Sequence, residues 1–369
     1  MQADYASDKV ELFVNKMKIE HFLSYHITAD MYEPADAFHL ELANPKTDIN
    51  PGHLCELFVN GQKELTGLID QVRRIVNKRG TSLYVEGRDL MGLLIDSYVE
   101  PPFFNIQNMK LKTLAERLLE KVPFIQRKSI RYQDNVVGRL KGKKKTSSSG
   151  YVSGLDTQQK IGQIEAGMTI FEVLKNYSLS RGMLFYCEPD GTLVFGRPLV
   201  KGTPEYKLQM IESGTGNNVE ESEVMQDISK RYSKVIVIGQ QQGADSIAEP
   251  DSISTSNVSN PVVDPSFPFA KVYVERDNND NVSPAMRARL IMEKQRREGT
   301  QLIYTVARHS QNNQNWQFNK FCQIKDDKQT LNGKKGIDGD YLIYARTFEL
   351  DKEDGPITRL TLGEPGMVA

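Results

Sequence analysis

Several features that would place the chain in a familiar class are missing from its sequence. The first residues, MQADYASDKVELF, lack the apolar core of a signal peptide, and no run of about 18 apolar residues occurs anywhere in the chain. Stable insertion in a membrane is therefore not expected. We expect a protein that is made and kept in a cytosol.

Cysteine is scarce, with three residues in 369. Cys55, Cys187 and Cys322 are odd in number, lie far apart and have no cysteine or histidine at the spacing of a metal site. Neither a disulfide framework nor a zinc site is indicated. Free cysteine mostly behaves as a small buried hydrophobe, so we expect three buried thiols.

An excess of charge of either sign is also missing. Lys and Arg number 47 against 48 Asp and Glu, a formal net charge of −1, which gives no overall attraction for nucleic acid or an anionic membrane. The expected partners are proteins. Hydrophobic residues make up 39% of the chain, enough for ordinary cores, and 369 residues predict two to four folded modules.

The signatures of common enzyme classes are absent as well. The sequence has no G-x-S-x-G elbow, no H-E-x-x-H, no G-x-x-x-x-G-K-S/T loop and no G-x-G-x-x-G after a strand. The run Glu86-Gly87-Arg88-Asp89 sets charges side by side, but glycosidases need two carboxyl groups roughly 5 to 9.5 Å apart beside a cleft, and nothing in the sequence marks such a pair. Five histidines lack a partner at motif spacing and are expected to be structural: His21, His26, His39, His53 and His309. We expect no catalytic residue, no metal and no cofactor.

The residues that are present predict strands at the N-terminus. Apolar and polar residues alternate in residues 10–19 and 24–42, which is typical of half-buried strands. Pro51-Gly52 predicts a turn, and LCELFVNG followed by ELTGLIDQVRRIV predicts a hairpin. We assign residues 1–97 to an N-terminal antiparallel β-barrel or sandwich.

A second module is predicted over residues 98–204. Apolar residues recur at helical spacing from Leu111 to Leu119, and again from Ile170 to Leu179. MLFYCE and TLVFGR then flank Pro189-Asp190-Gly191, a sequence typical of a hairpin turn. Helix plus hairpin is therefore expected here.

A lysine-rich tract, GRLKGKKKTSSSG, interrupts this module at residues 138–150. It contains Lys141, Lys143, Lys144 and Lys145. Contact with nucleic acid is one interpretation, but a short basic run without interleaved aromatic residues more often forms a solvated loop.

The rest of the chain predicts further β structure around an insertion. We assign residues 205–240 and 320–369 to a second β-barrel, and residues 241–319 to an inserted α/β module. Within the insertion, residues 241–268 predict a long loop, and a helix is expected from Ser283-Pro284 to Gly299, with a basic face that is solvated or binds phosphate. Trp316 lies among polar residues, where it either completes a core edge or anchors a partner.

Four sequence segments, taken in order, resemble the hub protein of Mu-like contractile phage tails, the late control D family. PGHLCELFVNGQKELTGLIDQVRRIV with TSLYVEGRDLMGLLIDSYVEPP is similar to its N-terminal signature, and AGMTIFEVLKNYSLSRGMLFYCEPDGTLVFGRP to its central helix and hairpin. DISKRYSKVIVIGQQQG is similar to the entry into its third module, and MRARLIMEKQRREGTQLIYTV to the helix before its final strands. The family is related to contractile-tail hubs and to the hub part of type VI secretion spike proteins.

The resemblance implies a β-rich α+β fold, with two antiparallel tube-protein-like β-barrels and two smaller α/β modules, assembling as a trimeric ring. It implies a structural role in the baseplate of a virion tail, assembled in the bacterial host cytoplasm. The implied partners are two further copies of the chain, the central spike protein and the tail tube protein, besides the tape-measure protein and other baseplate proteins. DNA would be a passing cargo in the lumen, and six barrels in three chains would match a threefold spike to a sixfold tube.

Internal duplication remains open from the sequence. Residues 55–87 and 322–363 each predict a strand, a glycine turn, a long strand, a charged turn and a strand, but any two antiparallel sheets share that pattern. Two other functions also remain open, a cell-wall hydrolase carried on the tail tip and a DNA-binding tail module that uses the lysine-rich tract.

Overall fold

The computed structural model describes residues 8–43, 48–78, 80–101, 106, 109–126, 129–133, 164–179, 182–238, 261–276, 284–351 and 355–367. The predicted lysine-rich loop at 138–150 lies outside the described residues, as does most of the predicted loop at 241–268. None of the described helices is both long enough and apolar enough to cross a membrane.

The N-terminal strands form an antiparallel sheet, because alternate side chains of each strand are apolar and turn to one core. In the first strand, for example, Val10, Leu12 and Val14 are buried while the residues between them are partly exposed. The order across this sheet is β3-β4-β7-β6-β5-β1-β2. We call it the first β unit; its strands are β1 (Val10–Val14), β2 (Met17–Ile19), β3 (Phe22–Asp30), β4 (Ala37–Ala43), β5 (Leu54–Val59), β6 (Gln62–Asn77) and β7 (Gly80–Asp89).

The predicted helix and hairpin of the second module are confirmed. Thr169 and Glu172 form a capping box, in which Thr169 Oγ1 accepts from the Glu172 N–H at 3.1 Å and the Thr169 N–H donates to Glu172 Oε2 at 2.8 Å. In the hairpin turn, Gly191 has φ of 85° and the Thr192 N–H donates to Asp190 Oδ1. The elements are α1 (Met91–Asp96), α2 (Leu111–Leu119), β8 (Ile130–Tyr132), α3 (Ile170–Leu179), β9 (Leu184–Cys187) and β10 (Leu193–Gly196).

The C-terminal part contains a second large set of strands and an inserted α/β layer. The predicted helix begins at Pro284, ends at Gly299 and packs Ala288 and Met292 on the short three-stranded sheet of the insertion. The elements are β11 (Tyr206–Met210), β12 (Glu221–Gln226), β13 (Lys234–Ile238), β14 (Val262–Val263), β15 (Val272–Arg276), α4 (Pro284–Gly299), β16 (Thr300–Ala307), β17 (Ser310–Gln311), β18 (Gln314–Asn315), β19 (Phe321–Leu331), β20 (Lys334–Asp351) and β21 (Gly355–Gly363). We call β11, β12, β16 and β19–β21 the second β unit.

Both β units belong to one 13-stranded sheet and share one hydrophobic core. The predicted β-rich α+β class is confirmed, and the antiparallel strands of the two predicted barrels are present, but among the described residues they do not close into barrels. In the described part of the chain, no pairing joins β2 to β3 or β11 to β12, because the outer edge of β3 pairs with β20 instead. The second unit also departs from a purely antiparallel sheet, since β11 runs parallel to β19.

Candidate functional site at the junction of the two β units

The two β units repeat one structural pattern, as an internal duplication would predict. Strands β5-β6-β7 and β19-β20-β21 each place a very long strand, of 16 and 18 residues, between two shorter ones. The first turn is Asn60-Gly61 in one unit and Asn332-Gly333 in the other, all four residues with positive φ, as a type I′ turn requires. Each long strand is interrupted by a bulge, and each third strand begins at a glycine with positive φ, Gly80 or Gly355.

The repeat extends to individual residues over four strands. In each unit the first residue after the bulge starts a row of directly paired residues that crosses four neighbouring strands. In the first unit the row is Gln71 (β6), Glu86 (β7), His39 (β4) and His26 (β3). In the second unit it is Ala345 (β20), Thr361 (β21), Ile303 (β16) and Glu223 (β12). Strand β12 therefore corresponds to β3, and the second half of β6 corresponds to the second half of β20.

The units are joined edge to edge through this correspondence. Strand β3 pairs antiparallel with the second half of β20, from Tyr25 opposite Leu350 to Asp30 opposite Ala345. The backbone ladder makes the sheet continuous across the junction, so the two units are held in one fixed register.

A buried ion pair crosses the core beside this junction. Glu64 of β6 and Arg346 of β20 pair directly, and their side chains are 0% and 2% exposed. Asn315 Nδ2 donates to Glu64 Oε1 at 2.5 Å and to the Val59 carbonyl at 2.8 Å. Burial raises the pKa of the Glu64 carboxyl, although the attraction of Arg346 acts in the opposite direction. The unfavourable effect of removing the carboxylate from water is thus larger than the favourable attraction of Arg346.

Arg346 is only partly satisfied by this pairing. Its Nε and one terminal nitrogen are buried without a hydrogen-bond partner among the described residues, while the guanidinium stacks over the Phe348 ring at 4.0 Å. A buried, half-satisfied charge is costly, so little net stabilisation is expected from this pair.

His309 forms a second buried polar contact between the units. Its Nε2 lies 2.7 Å from the Tyr25 hydroxyl and its Nδ1 lies 3.0 Å from Thr358 Oγ1. Burial lowers the pKa of His309 to about 4, so the ring is neutral near pH 7. The expectation that this histidine is structural agrees with its position.

An exposed row of charged and imidazole side chains crosses the outer face of the same sheet. His26 and His39 are directly opposite on β3 and β4, with ring centroids 6.2 Å apart. Each Nδ1 lies 3.4 Å from a carboxylate, Glu349 for His26 and Glu86 for His39. Among the described residues, no three His, Cys, Asp or Glu side chains are placed to hold a metal ion. This row could not be predicted from the sequence, because it depends on strand register.

The carboxylates near Arg88 do not form an exposed pair. Arg88 binds Asp70 and Asp96 at the surface, each at 2.6 Å, while Asp89 is buried at the end of β7 with Asp36. Burial raises the pKa of both buried carboxyls, that of Asp89 to about 7. Asp89 accepts hydrogen bonds from the backbone N–H groups of Asp36 and Met91, an arrangement that caps the end of a strand.

The remaining residues singled out in the sequence lie in the core or at the surface. All three cysteines are buried thiols, as predicted, and burial raises the pKa of Cys55 to about 12. Trp316 is buried against Tyr206, with ring centroids 4.7 Å apart, so it completes the core and is not an exposed anchor. His21 is a turn residue with φ of 67°, and His53 lies 3.4 Å from the Asn15 side chain.

The basic face of α4 borders a cavity of about 240 Å³. Arg296 pairs with Glu364 at 2.5 Å, and Arg297 lies over the Tyr32 ring at 3.9 Å. Arg231, which also lines the cavity, pairs with Asp264 at 2.6 Å. These ion pairs balance the basic side chains, which favours the predicted solvated face over a phosphate site.

Comparison with known proteins finds that the chain is similar to phage tail proteins. Residues 9–89 match the family described as Mu phage baseplate assembly protein GpP-like, N-terminal. The chain is 26% identical over 237 residues to the baseplate hub protein gp44 of Escherichia phage Mu, a match that covers 63% of this chain and 55% of that protein. The chain thus spans about half the length of this curated relative.

Solved structures match over nearly the whole chain. A tail protein from Neisseria meningitidis is 24% identical with a TM-score of 0.77, covering 98% of each chain. The 43 kDa tail protein of prophage MuSo2 from Shewanella oneidensis is 20% identical with a TM-score of 0.73, covering 97% of this chain and 98% of the other. A component of the Escherichia coli type VI secretion system shares the fold at 10% identity, with a TM-score of 0.55 over 97% of this chain and 80% of that one. The predicted resemblance to Mu-like tail hub proteins and their type VI relatives is confirmed.

Proposed function

We propose that this chain is a structural hub of a Mu-like contractile tail baseplate. The observation that carries the proposal is the fold match along the whole chain to Mu-like tail proteins, together with the two β units that repeat each other within one chain. Such a repeat lets one chain occupy two equivalent places in a ring.

The ring we propose contains three copies and therefore six β units. Its six units would match six subunits of the tail tube protein on one face, while its threefold symmetry matches the central spike protein on the other. Closed cyclic assemblies are the common solution for soluble oligomers. The lumen would pass DNA or the tape-measure protein, and other baseplate proteins would bind outside. We place the assembled protein in the virion tail baseplate after synthesis in the host cytoplasm.

We propose the following division of labour along the chain. Residues 1–97 and residues 205–240 with 320–369 supply the two ring units, residues 98–204 form the α/β module with helix and hairpin, and residues 241–319 form the inserted module. This mechanism is mechanical and needs no covalent step, so we propose no catalytic, metal-binding or cofactor-binding residue.

Two measurements test the proposed function. Light scattering of the purified chain is expected to give three times 41.8 kDa, and a stable monomer at high concentration would contradict the hub. A zymogram on cell-wall material is expected to remain uncleared. Clear lysis would instead favour the tail-tip hydrolase, and DNA binding that weakens on substitution of Lys141, Lys143, Lys144 and Lys145 would favour the DNA-binding module.

A further inference from the structure

Two strand edges of the sheet are open at opposite ends of the repeat. Strand β12 pairs with β16 on one side, and no described strand pairs with its other side. The second half of β6, residues 71–76, pairs with β7, while the pairing of β6 with β5 ends at Leu68. An open strand edge is a template for another strand.

These two edges correspond to the two edges that join the units within the chain. Strand β12 occupies in the second unit the place of β3 in the first, and the second half of β6 occupies the place of the second half of β20. Within the chain, β3 and β20 are paired. Among the described strands their counterparts have no such pairing, so the same joint is available between two copies.

The chemistry of the two open edges is complementary. Strand β12, ESEVMQ, carries Glu221 and Glu223 and no basic residue. The second half of β6 carries Arg73 and Arg74 and no acidic residue between Gln71 and Asn77. Unlike charges on neighbouring strands favour pairing.

Exposed apolar side chains mark the β6 edge. Ile75 is 39% exposed and Val76 is 74% exposed, whereas the corresponding positions of β20, Glu349 and Leu350, are covered to a greater extent beside β3. Soluble proteins usually blunt such an edge with charge, proline or a covering element. A neighbouring strand would cover it here.

We propose that β12 of one copy pairs antiparallel with the second half of β6 of the next copy, repeating between chains the joint that β3 and β20 make within the chain. Carrying over the internal register sets Ile75 opposite Glu223, with Arg73 opposite Met225 and diagonal to Glu223. This inference deepens the proposed function and rests on it, because it names the surfaces that close the ring. A head-to-tail contact of this kind closes a ring when its rotation is right.

One side chain currently occupies part of the β12 edge. Gln329 Nε2 donates to the Ser222 carbonyl at 2.6 Å and to Ser222 Oγ at 3.1 Å. The contact satisfies a backbone acceptor in the single chain, and a backbone N–H from the incoming strand can take its place. Pairing therefore requires the Gln329 side chain to move, but no change in the strand.

Cysteine cross-linking tests the register. Directly opposite residues on antiparallel strands have Cα atoms about 4.5 to 5.5 Å apart, within the range of a disulfide. A chain carrying Ile75→Cys and Glu223→Cys is expected, after mild oxidation, to move from the one-chain to the three-chain band on a non-reducing gel. The matched control carries Ile75→Cys and Ser222→Cys, because a slip of one residue turns the second side chain to the other face. The control and each single-cysteine variant are expected to stay at the one-chain band, since the three native thiols are buried.

The outcomes separate this proposal from the function on which it rests. If light scattering shows a trimer but the Ile75–Glu223 pair does not cross-link, the proposed strand pairing is wrong and the proposed hub function still stands. Another surface of the chain, or another protein, would then cover these edges. Equal cross-linking in the control would overturn the register. A monomeric wild-type chain would instead overturn the proposed function.

A charge reversal provides a second test that needs no oxidation. Glu223→Arg is expected to weaken the trimer in low salt, so that it dissociates at a higher protein concentration. Adding Arg73→Glu restores unlike charges across the contact and is expected to strengthen the trimer again. Indifference of the trimer to both changes in low salt would count against the proposed edge contact.

Discussion

The buried Glu64–Arg346 pair gives the sharpest test of how the two β units are held together. Replacing Glu64 with leucine leaves the Arg346 charge buried without a counter-charge, and Arg346 already has two buried nitrogens without a partner. Breaking a buried pair by removing one member costs about 3 to 5 kcal/mol of folding free energy. We expect a loss in that range for Glu64→Leu at pH 5 and at pH 8, because arginine stays charged throughout.

The partner variant should behave differently with pH. Arg346→Met leaves Glu64 buried beside Asn315, and burial already raises the pKa of that carboxyl. Glu64 can then take up a proton on acidification, which removes the buried charge. The loss of stability in Arg346→Met should therefore be largest at pH 8 and shrink as the pH falls.

Replacing both residues should restore stability. The double variant Glu64→Leu with Arg346→Met removes both charges, and apolar replacement of a buried pair is often neutral or stabilising by about 1 to 4 kcal/mol. Urea unfolding at one fixed protein concentration, for all four chains at pH 5 and pH 8, gives the free energies and their coupling. Double-variant losses equal to the sum of the two single losses would refute this account of the pair, as would single losses under about 1 kcal/mol.

Three further changes test other parts of the fold. The wild type should lose stability as pH falls from about 6.5 to about 4, because burial holds the pKa of the folded His309 near 4; this group contributes roughly 3 kcal/mol of that loss. His309→Gln should reduce the loss. An unchanged dependence of stability on pH in the variant would contradict this prediction. Asp89→Asn should act in the opposite sense. Because the folded Asp89 carboxyl has a raised pKa, the wild type should lose stability as pH rises from about 4 to about 7, and the variant should lose less. Thermal unfolding across this pH range measures the loss, and equal losses in the two chains would contradict the prediction. Gly87→Ala should cost about 1 to 3 kcal/mol in urea unfolding, because a Cβ there would lie 2.4 Å from the Leu68 carbonyl oxygen and 2.5 Å from the Phe38 ring; full stability would refute that contact.

Local structure was largely predictable from the sequence. The face from Leu111 to Leu119 forms the helix that its spacing predicts, and Pro189-Asp190-Gly191 forms the predicted turn, because both depend on neighbours along the chain. Burial of the three thiols followed from composition alone. The glycine turns at Gly61 and Gly333 could be predicted from the sequence. It could not be predicted that the strands following the two turns are structurally equivalent.

What the sequence could not provide was long-range register. Glu64 and Arg346 are 282 positions apart in the sequence. They contact each other only because β6 and β20 pack against the same core. The His26–His39 row depends in the same way on which residues of β3 and β4 are opposite. The pairing of β3 with β20 was not predictable either, because an alternating pattern shows which face of a strand is buried but not which edge of β3 finds a partner.

The repeat of the two units also explains why the chain can contain so much unblunted strand edge. One joint is completed within the chain, between β3 and β20, and the edges of the other joint remain open in the single chain. A ring of identical joints would leave no open edge of this kind, which is the usual way in which large sheets avoid uncontrolled association.

Electron microscopy of the purified chain in end view tests the central claim most directly. We expect class averages of a closed ring with six lobes, threefold symmetry and a central lumen. Single compact particles, open chains of variable length or a ring with another number of lobes would contradict the account.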